Sequence, residues 1–218
     1  MTPQIVTDAP WLKPESIEAK AQARLSAYKA EFGATTKLPI PIEHLIEAHL
    51  KLRIDWDVIE EKGDDVVLAY INPGEQTICM NECRRAHFEN YWGTEVFTLA
   101  HEVGHWDLHV SDTEFVQLTL LDDVKPREFL CRWNKYDRLE WQANRYAAAL
   151  AMPEEMIVRE IKGVDICQWP NLYRLKDRFG VTITAFCRRL EELGLIYMSE
   201  DGTLCPSRAA SCNQLNLI

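Results

Sequence analysis

The residues best equipped for chemistry lie between Thr98 and His109. His101 and His105 are four positions apart, so on a helix both imidazoles project from one side and reach a single ion. Glu102 stands beside the first of them, placed to take a proton from a water held there. A catalytic zinc keeps three protein ligands and leaves a fourth position to water, so this pair needs a third donor from elsewhere in the chain. A His-Glu-x-x-His run arises by accident in about one chain of this size in a hundred, so the spacing itself carries information.

The candidate third donor is Glu140, which opens the run Glu140-Trp141-Gln142-Ala143-Asn144. On a second helix Glu140 and Asn144 face one way: the carboxylate ligates the ion while Asn144 accepts a hydrogen bond from a ligand histidine's other nitrogen. The same carboxylate also fits a capping box opened by Asp137, and one group cannot fill both roles. His109 continues the series of fours. About 12 Å of helix rise separates it from His101, however, and zinc-bound nitrogens lie about 2 Å from the ion. It therefore belongs to the rim, holding the third-ligand helix or donating to a substrate oxyanion, with a purely structural role as the alternative. His109, Tyr146 and Tyr91 are the candidate oxyanion donors, in that order.

The two runs together, His101-Glu102-Val103-Gly104-His105-Trp106-Asp107-Leu108-His109 and Glu140-Trp141-Gln142-Ala143-Asn144-Arg145-Tyr146-Ala147 with its Met152-Pro153 stop, resemble the ImmA/IrrE family of intracellular metallopeptidases. The resemblance covers roughly residues 38 to 160. It implies a minimal gluzincin with zinc, or manganese, on His101, His105 and Glu140, and an edge strand beside the zinc helix that takes substrate in extended form. It further implies a protein substrate: an XRE-type helix-turn-helix repressor, or an antitoxin, whose cleavage or inactivation controls phage, mobile-element or stress genes. The rival expectations are a non-catalytic binding partner of the toxin-antitoxin kind and a DNA-binding regulator. Glu102 favours the enzyme, because a pure binder has no need of a general base. Two departures stand out: Gln142 takes a position where the family often has a second acid, and the segment 110–136 is long.

The elements that must position these residues follow from the pattern of the chain. The 218 residues are 47% hydrophobic, enough for a sizeable core. No run of about 18 apolar residues occurs, and the first twenty residues carry prolines and acids rather than a leader pattern, so the expected location is the cytoplasm. The seven cysteines, at 79, 83, 131, 167, 187, 205 and 212, form an odd set without a CxxC pair and read as reduced, mostly buried thiols. A formal charge of −10 opposes non-specific nucleic-acid binding and suits a basic protein partner.

The expected class is α+β: mostly helical, with a small antiparallel sheet, a zincin-like motif helix and a helix-turn-helix-like C-terminal part. A helix from Pro14 buries Ile17, Ala21, Leu25 and Tyr28 and ends at Gly33. Another spans Ile42 to Leu50. Leu52 to Val58 reads as a strand, and Val66 to Ile71 with Gln76 to Met80 as a hairpin around Asn72-Pro73-Gly74-Glu75. Thr77 to Asn81 is the expected substrate-accepting edge. Thr94 is the expected N-cap of the motif helix, whose Gly104 implies a neighbour too close for a methyl group. A flap is expected across 111–136. Ala143, Ala147 and Ala151 give the third-ligand helix a small-residue face. After it come Glu154 to Ile161, Asn171 to Phe179 and Thr182 to Leu193, the last two a helix-turn-helix outline with Arg174, Lys176, Arg178, Arg188 and Arg189 nearby. The expected divisions are 1–36, an N-terminal helical segment; 37–165, the metallopeptidase-like domain; and 166–218, the C-terminal helices and tail.

Overall fold

In the computed structural model, which describes residues 11–33, 37–61, 66–110, 129–132 and 138–207, the helix-forming stretch after Pro14 becomes α1 (Pro14–Phe32). Its Ile17, Ala21, Leu25 and Tyr28 are all buried, as their spacing requires, and Gly33 at φ 87° ends it. A short α2 (Ile42–His44) widens into a π-helical turn (Leu45–His49) that buries Ile42, Leu45 and Ile46. The first ten residues, most of the expected flap, the Asp137 capping box and the tail beyond residue 207 lie outside the described residues.

Four strands form one sheet in the order β1-β3-β2-β4: β1 (Arg53–Asp57), β2 (Val67–Asn72), β3 (Thr77–Asn81) and β4 (Phe129–Arg132). The hairpin β2–β3 is antiparallel with Asn72 opposite Thr77, as the turn signal requires. The sheet as a whole is mixed, not antiparallel, because β3 inserts between β1 and β2 and so runs parallel to β1. Nor is Thr77–Asn81 an edge. All five of its residues are buried and it is paired on both flanks, so it cannot receive another strand. The edges of this sheet are β1 and β4, the second arising in a stretch with no strand signal in its sequence; a separate two-stranded sheet pairs Tyr197–Met198 with Leu204–Cys205.

Along β1, Arg53 N–H donates to the Gln76 carbonyl of the hairpin turn, so alternate amides face away from β3. Those of Trp56 and Val58 donate instead to the carboxylates of Asp55 and Asp57, at 2.8 and 2.7 Å.

A short helix α3 (Arg85–Asn90) leads into α4 (Trp92–His109). The latter starts two residues before the expected Thr94 cap: Thr94 lies inside the first turn, its amide donating to Tyr91 O at 2.7 Å, and no side chain caps the helix. One side of α4 packs on β2 and β4, and another on α5 (Arg138–Ala151), which in turn packs on α1. Ala143, Ala147 and Ala151 are buried, and a Cβ on Gly104 would meet the Ala143 Cα and O at 3.0 Å and the Tyr146 Cβ at 3.2 Å. Small residues on both helices thus allow the close approach that a short carboxylate needs to reach across.

Beyond α5, α6 (Glu154–Glu160) is followed by α7 (Trp169–Phe179) and α8 (Ile183–Glu192), joined through Gly180 in the left-handed region. Thr182 caps α8 by accepting from Ala185 N–H. The helix-turn-helix outline is present, but its turn is docked on the motif helix: a Cβ on Gly93 would fall 2.5 Å from the Val181 carbonyl carbon and 2.7 Å from Thr182 N. Of its basic residues, Arg189 is taken into the core, and Arg174 and Arg178 are paired at the surface. Arg189 is fully buried, donating to both Glu18 oxygens and to Met152 O, while Arg178 pairs with Glu160 and Arg174 donates to Asn171. One apolar core takes in α1, the sheet, α4, α5 and α6 to α8. No helix is long and apolar enough to cross a membrane among the described residues. Cys79 and Cys187 are buried free thiols and Cys205 is also buried, whereas Cys83 is exposed.

Candidate metal centre

Helix periodicity puts His101 and His105 on one side of α4, and the seam with α5 brings Glu140 to meet them. The two Nε2 atoms are 3.0 Å apart, and each is 3.2 Å from a different oxygen of Glu140. Both histidines are buried, and the Glu140 side chain is 13% exposed. Among the described residues this is the group of metal-ligating side chains whose donor atoms converge. A fourth-row ion such as zinc, bound at about 2.0–2.2 Å in a tetrahedral arrangement, spaces its donors about 3.3 Å apart. The three residues match that spacing.

The hydrogen bonds around the histidines fix where their lone pairs point. Asn144 Oδ1 lies 3.1 Å from His101 Nδ1 and only accepts, so Nδ1 carries the proton and Nε2 presents a lone pair to the centre. The same logic runs along a second chain. Gln142 Oε1 lies 3.3 Å from His109 Nε2, so that nitrogen donates; His109 Nδ1 then accepts from His105 Nδ1 at 3.0 Å, leaving His105 Nε2 as the second lone pair. Two lone pairs and a carboxylate thus face one another at hydrogen-bond distance. Such a set repels itself unless a positive charge lies between its members, and a divalent cation supplies it.

A proton on an imidazole Nε2 supplies such a positive charge as well, and the Glu140 carboxyl responds to it. Burial alone raises the Glu140 carboxyl, but the hydrogen bonds and charges of His101 and His105 outweigh it and hold the group at about 2. Burial first, then the neighbouring His105, lower the His109 imidazole to about 4, which suits a neutral ring that accepts on one side and donates on the other. Glu102 is fully buried on the same turn of α4.

Of the two rim roles expected for His109, the structure shows the first. Both ring nitrogens of His109 are engaged, so it ties a ligand histidine to α5 rather than donating to an oxyanion. Gln142, marked only as a departure from the family pattern, is its partner. The Tyr146 hydroxyl donates to Asp107, and burial, then Asp107, raise its pKa far out of the working range. Tyr91 is 60% exposed, its ring against His87. Two further residues went unread: Asp107, two places after His105, and Arg24 of α1, whose guanidinium donates to both Asp107 oxygens at 2.9 and 2.7 Å. A signal for Arg24 exists, since it interrupts the apolar stripe of α1 between Ala21 and Leu25.

Residues 92–191, just under half of the chain, match the model of the family described as Peptidase_M78, IrrE N-terminal-like domain. These residues are similar to an IrrE N-terminal-like domain. The match begins at the first residue of α4 and takes in the whole candidate centre, whereas α1 and strands β1 to β3 precede it. No curated protein matches the chain. Among solved structures, a Mycobacterium tuberculosis transcriptional regulator is similar at a TM-score of 0.49 and 15% identity, over 91% of this chain and 57% of that one. The chain therefore spans little more than half the length of that regulator.

Proposed function

We propose that this protein is a zinc-dependent endopeptidase that cuts a protein substrate. The observation that carries this reading is the convergence of His101 Nε2, His105 Nε2 and Glu140 within 3.0–3.2 Å, with Glu102 buried on the same helical turn. His101, His105 and Glu140 would hold the metal, zinc or manganese. Such an ion, when bound, polarises a carbonyl and lowers the pKa of water towards about 7. Glu102 takes the proton of the attacking water and passes it to the leaving amine. Asn144 and His109 hold the two imidazoles in the tautomer that the centre requires. An extended substrate cannot pair with the interior strand β3; the edge next to α4 is β4, where main-chain groups of a peptide would find partners.

The proposed substrate is an XRE-type helix-turn-helix repressor or an antitoxin, so that cutting it in the cytoplasm releases phage, mobile-element or stress genes. The formal charge of −10 fits a basic DNA-binding protein as partner. The second reading is a metal-stabilised binding partner that sequesters such a repressor without hydrolysis. Incubating the purified chain and zinc or manganese with the repressor encoded beside it separates the two. One discrete cut by the native protein, and none by a Glu102→Gln variant that retains its metal, is the expected result. Full cleavage by that variant defeats the mechanism, and an uncut but tightly held repressor establishes the second reading.

A further inference from the structure

We propose that Arg24, on a helix outside the matched domain, is a positioning residue for the metal centre, acting through Asp107 and Tyr146. The inference rests on the metal reading above and deepens it. It starts from a spacing that both site helices share. On α4, His101, Gly104, His105 and Asp107 stand at offsets of zero, three, four and six; on α5, Glu140, Ala143, Asn144 and Tyr146 stand at the same offsets. At about 100° per residue, the first and third members of each set lie roughly 60–100° to one side of the small residue, and the last lies roughly 60° to the other.

The contacts fit that geometry. Gly104 meets Ala143 at the centre of the seam; the imidazoles meet Glu140 and Asn144 on one flank, and Asp107 meets the Tyr146 hydroxyl on the other. A helix resting on one close contact can roll about it. Pinned on the flank opposite the metal, α5 cannot roll, and Glu140 stays within reach of both imidazoles.

Asp107 is an awkward pin unaided. It lies in the last turn of α4, where the helix dipole disfavours a negative charge, and its side chain is only 8% exposed. The two-pronged contact from Arg24 supplies the missing positive charge and fixes both oxygens. Arg24 is itself placed from behind. Its Nη1 lies 3.3 Å from His49 Nε2, which can only accept from a guanidinium, and His49 Nδ1 donates to Glu31 at 2.6 Å. The chain Glu31–His49–Arg24–Asp107–Tyr146 therefore runs from α1 and the π-helical turn into the seam between the two ligand helices.

The test measures metal binding rather than turnover: zinc affinity by competition with a chromophoric chelator, and the visible absorption of the cobalt-substituted protein, both well below the melting temperature. Arg24→Ala is expected to weaken zinc binding about tenfold and to shift the cobalt band, with Arg24→Lys in between because an ammonium cannot make the two-pronged contact. Glu18→Gln is the control on the same helix. It loosens the anchor of α1 on Arg189 and should lower the melting temperature, while zinc affinity stays within about twofold. If Arg24→Ala does not yield folded protein, Tyr146→Phe is measured instead: tenfold weaker zinc binding supports the proposal and native affinity overturns it. Native affinity and cobalt spectrum in Arg24→Ala, or an equal loss in Glu18→Gln, overturn the positioning role and leave the metal reading intact. A native chain that binds neither zinc nor cobalt overturns both.

Discussion

His109 links protonation to folding. Its imidazole is held at about 4 in the fold, against an ordinary value of 6.5, so between those two pH values the unfolded chain binds more protons than the folded one. Stability contributed by the neutral ring is complete above about pH 6.5 and is lost as pH falls towards 4. Glu140, held at about 2 against an ordinary 4.5, gives way in a lower window, from 4.5 down to 2. Calorimetry of the metal-free protein should therefore show a melting temperature that declines from pH 7 to 4.5. In His109→Gln, which has no proton to gain, the decline should be shallower. Equal slopes in the two proteins would refute the assignment. At this scale the sequence was most legible where chemistry repeats with the helix: His101, His105, Glu140 and Asn144 meet as their spacing requires. Asp107 and Arg24 were not, because the partners lie 83 residues apart and only the fold brings them together.

Helices and strands differ in what their sequences disclose. An apolar stripe is a local property, so α1, α4, α5, α7 and α8 lie within one to three residues of expectation. The partner of a strand is not local. The turn at Asn72–Gln76 announces the β2–β3 hairpin, yet nothing near Arg53 says that it will run parallel to Thr77, and β4 gives no signal of its own. The strand-like Thr77–Asn81 reads equally well as edge or centre; its pairing on both flanks decides. Contact between elements is predictable where a glycine sits in a helix. Alanine in place of Gly93 gains about 1 kcal/mol of helix propensity. That gain is outweighed by a Cβ set 2.5 Å from Val181 backbone, which must move the α7–α8 turn off α4. Gly93→Ala should lower stability by roughly 2 kcal/mol in urea unfolding, and a stabilised variant would show that the turn is not held there.

The molecule as a whole shows which surface its charge serves. With a formal charge of −10, and with Arg189 buried against Glu18, the overall charge opposes a phosphate backbone even though Arg174, Arg178 and Arg188 stay exposed. Fluorescence anisotropy of labelled duplex DNA at physiological salt should stay flat up to about 0.1 mM protein, the weak end of non-specific binding. A tighter, salt-sensitive rise would restore the DNA-binding reading. The outer face of the sheet has a consequence for crowded solutions. One amide of β1 and the one just past its end, which would otherwise recruit a neighbour, are already satisfied by Asp55 and Asp57, and each carboxylate brings a negative charge to the rim. A second copy approaching from that direction meets repulsion and no open donors at Trp56 and Val58, so ribbon-like stacking of chains cannot propagate through them.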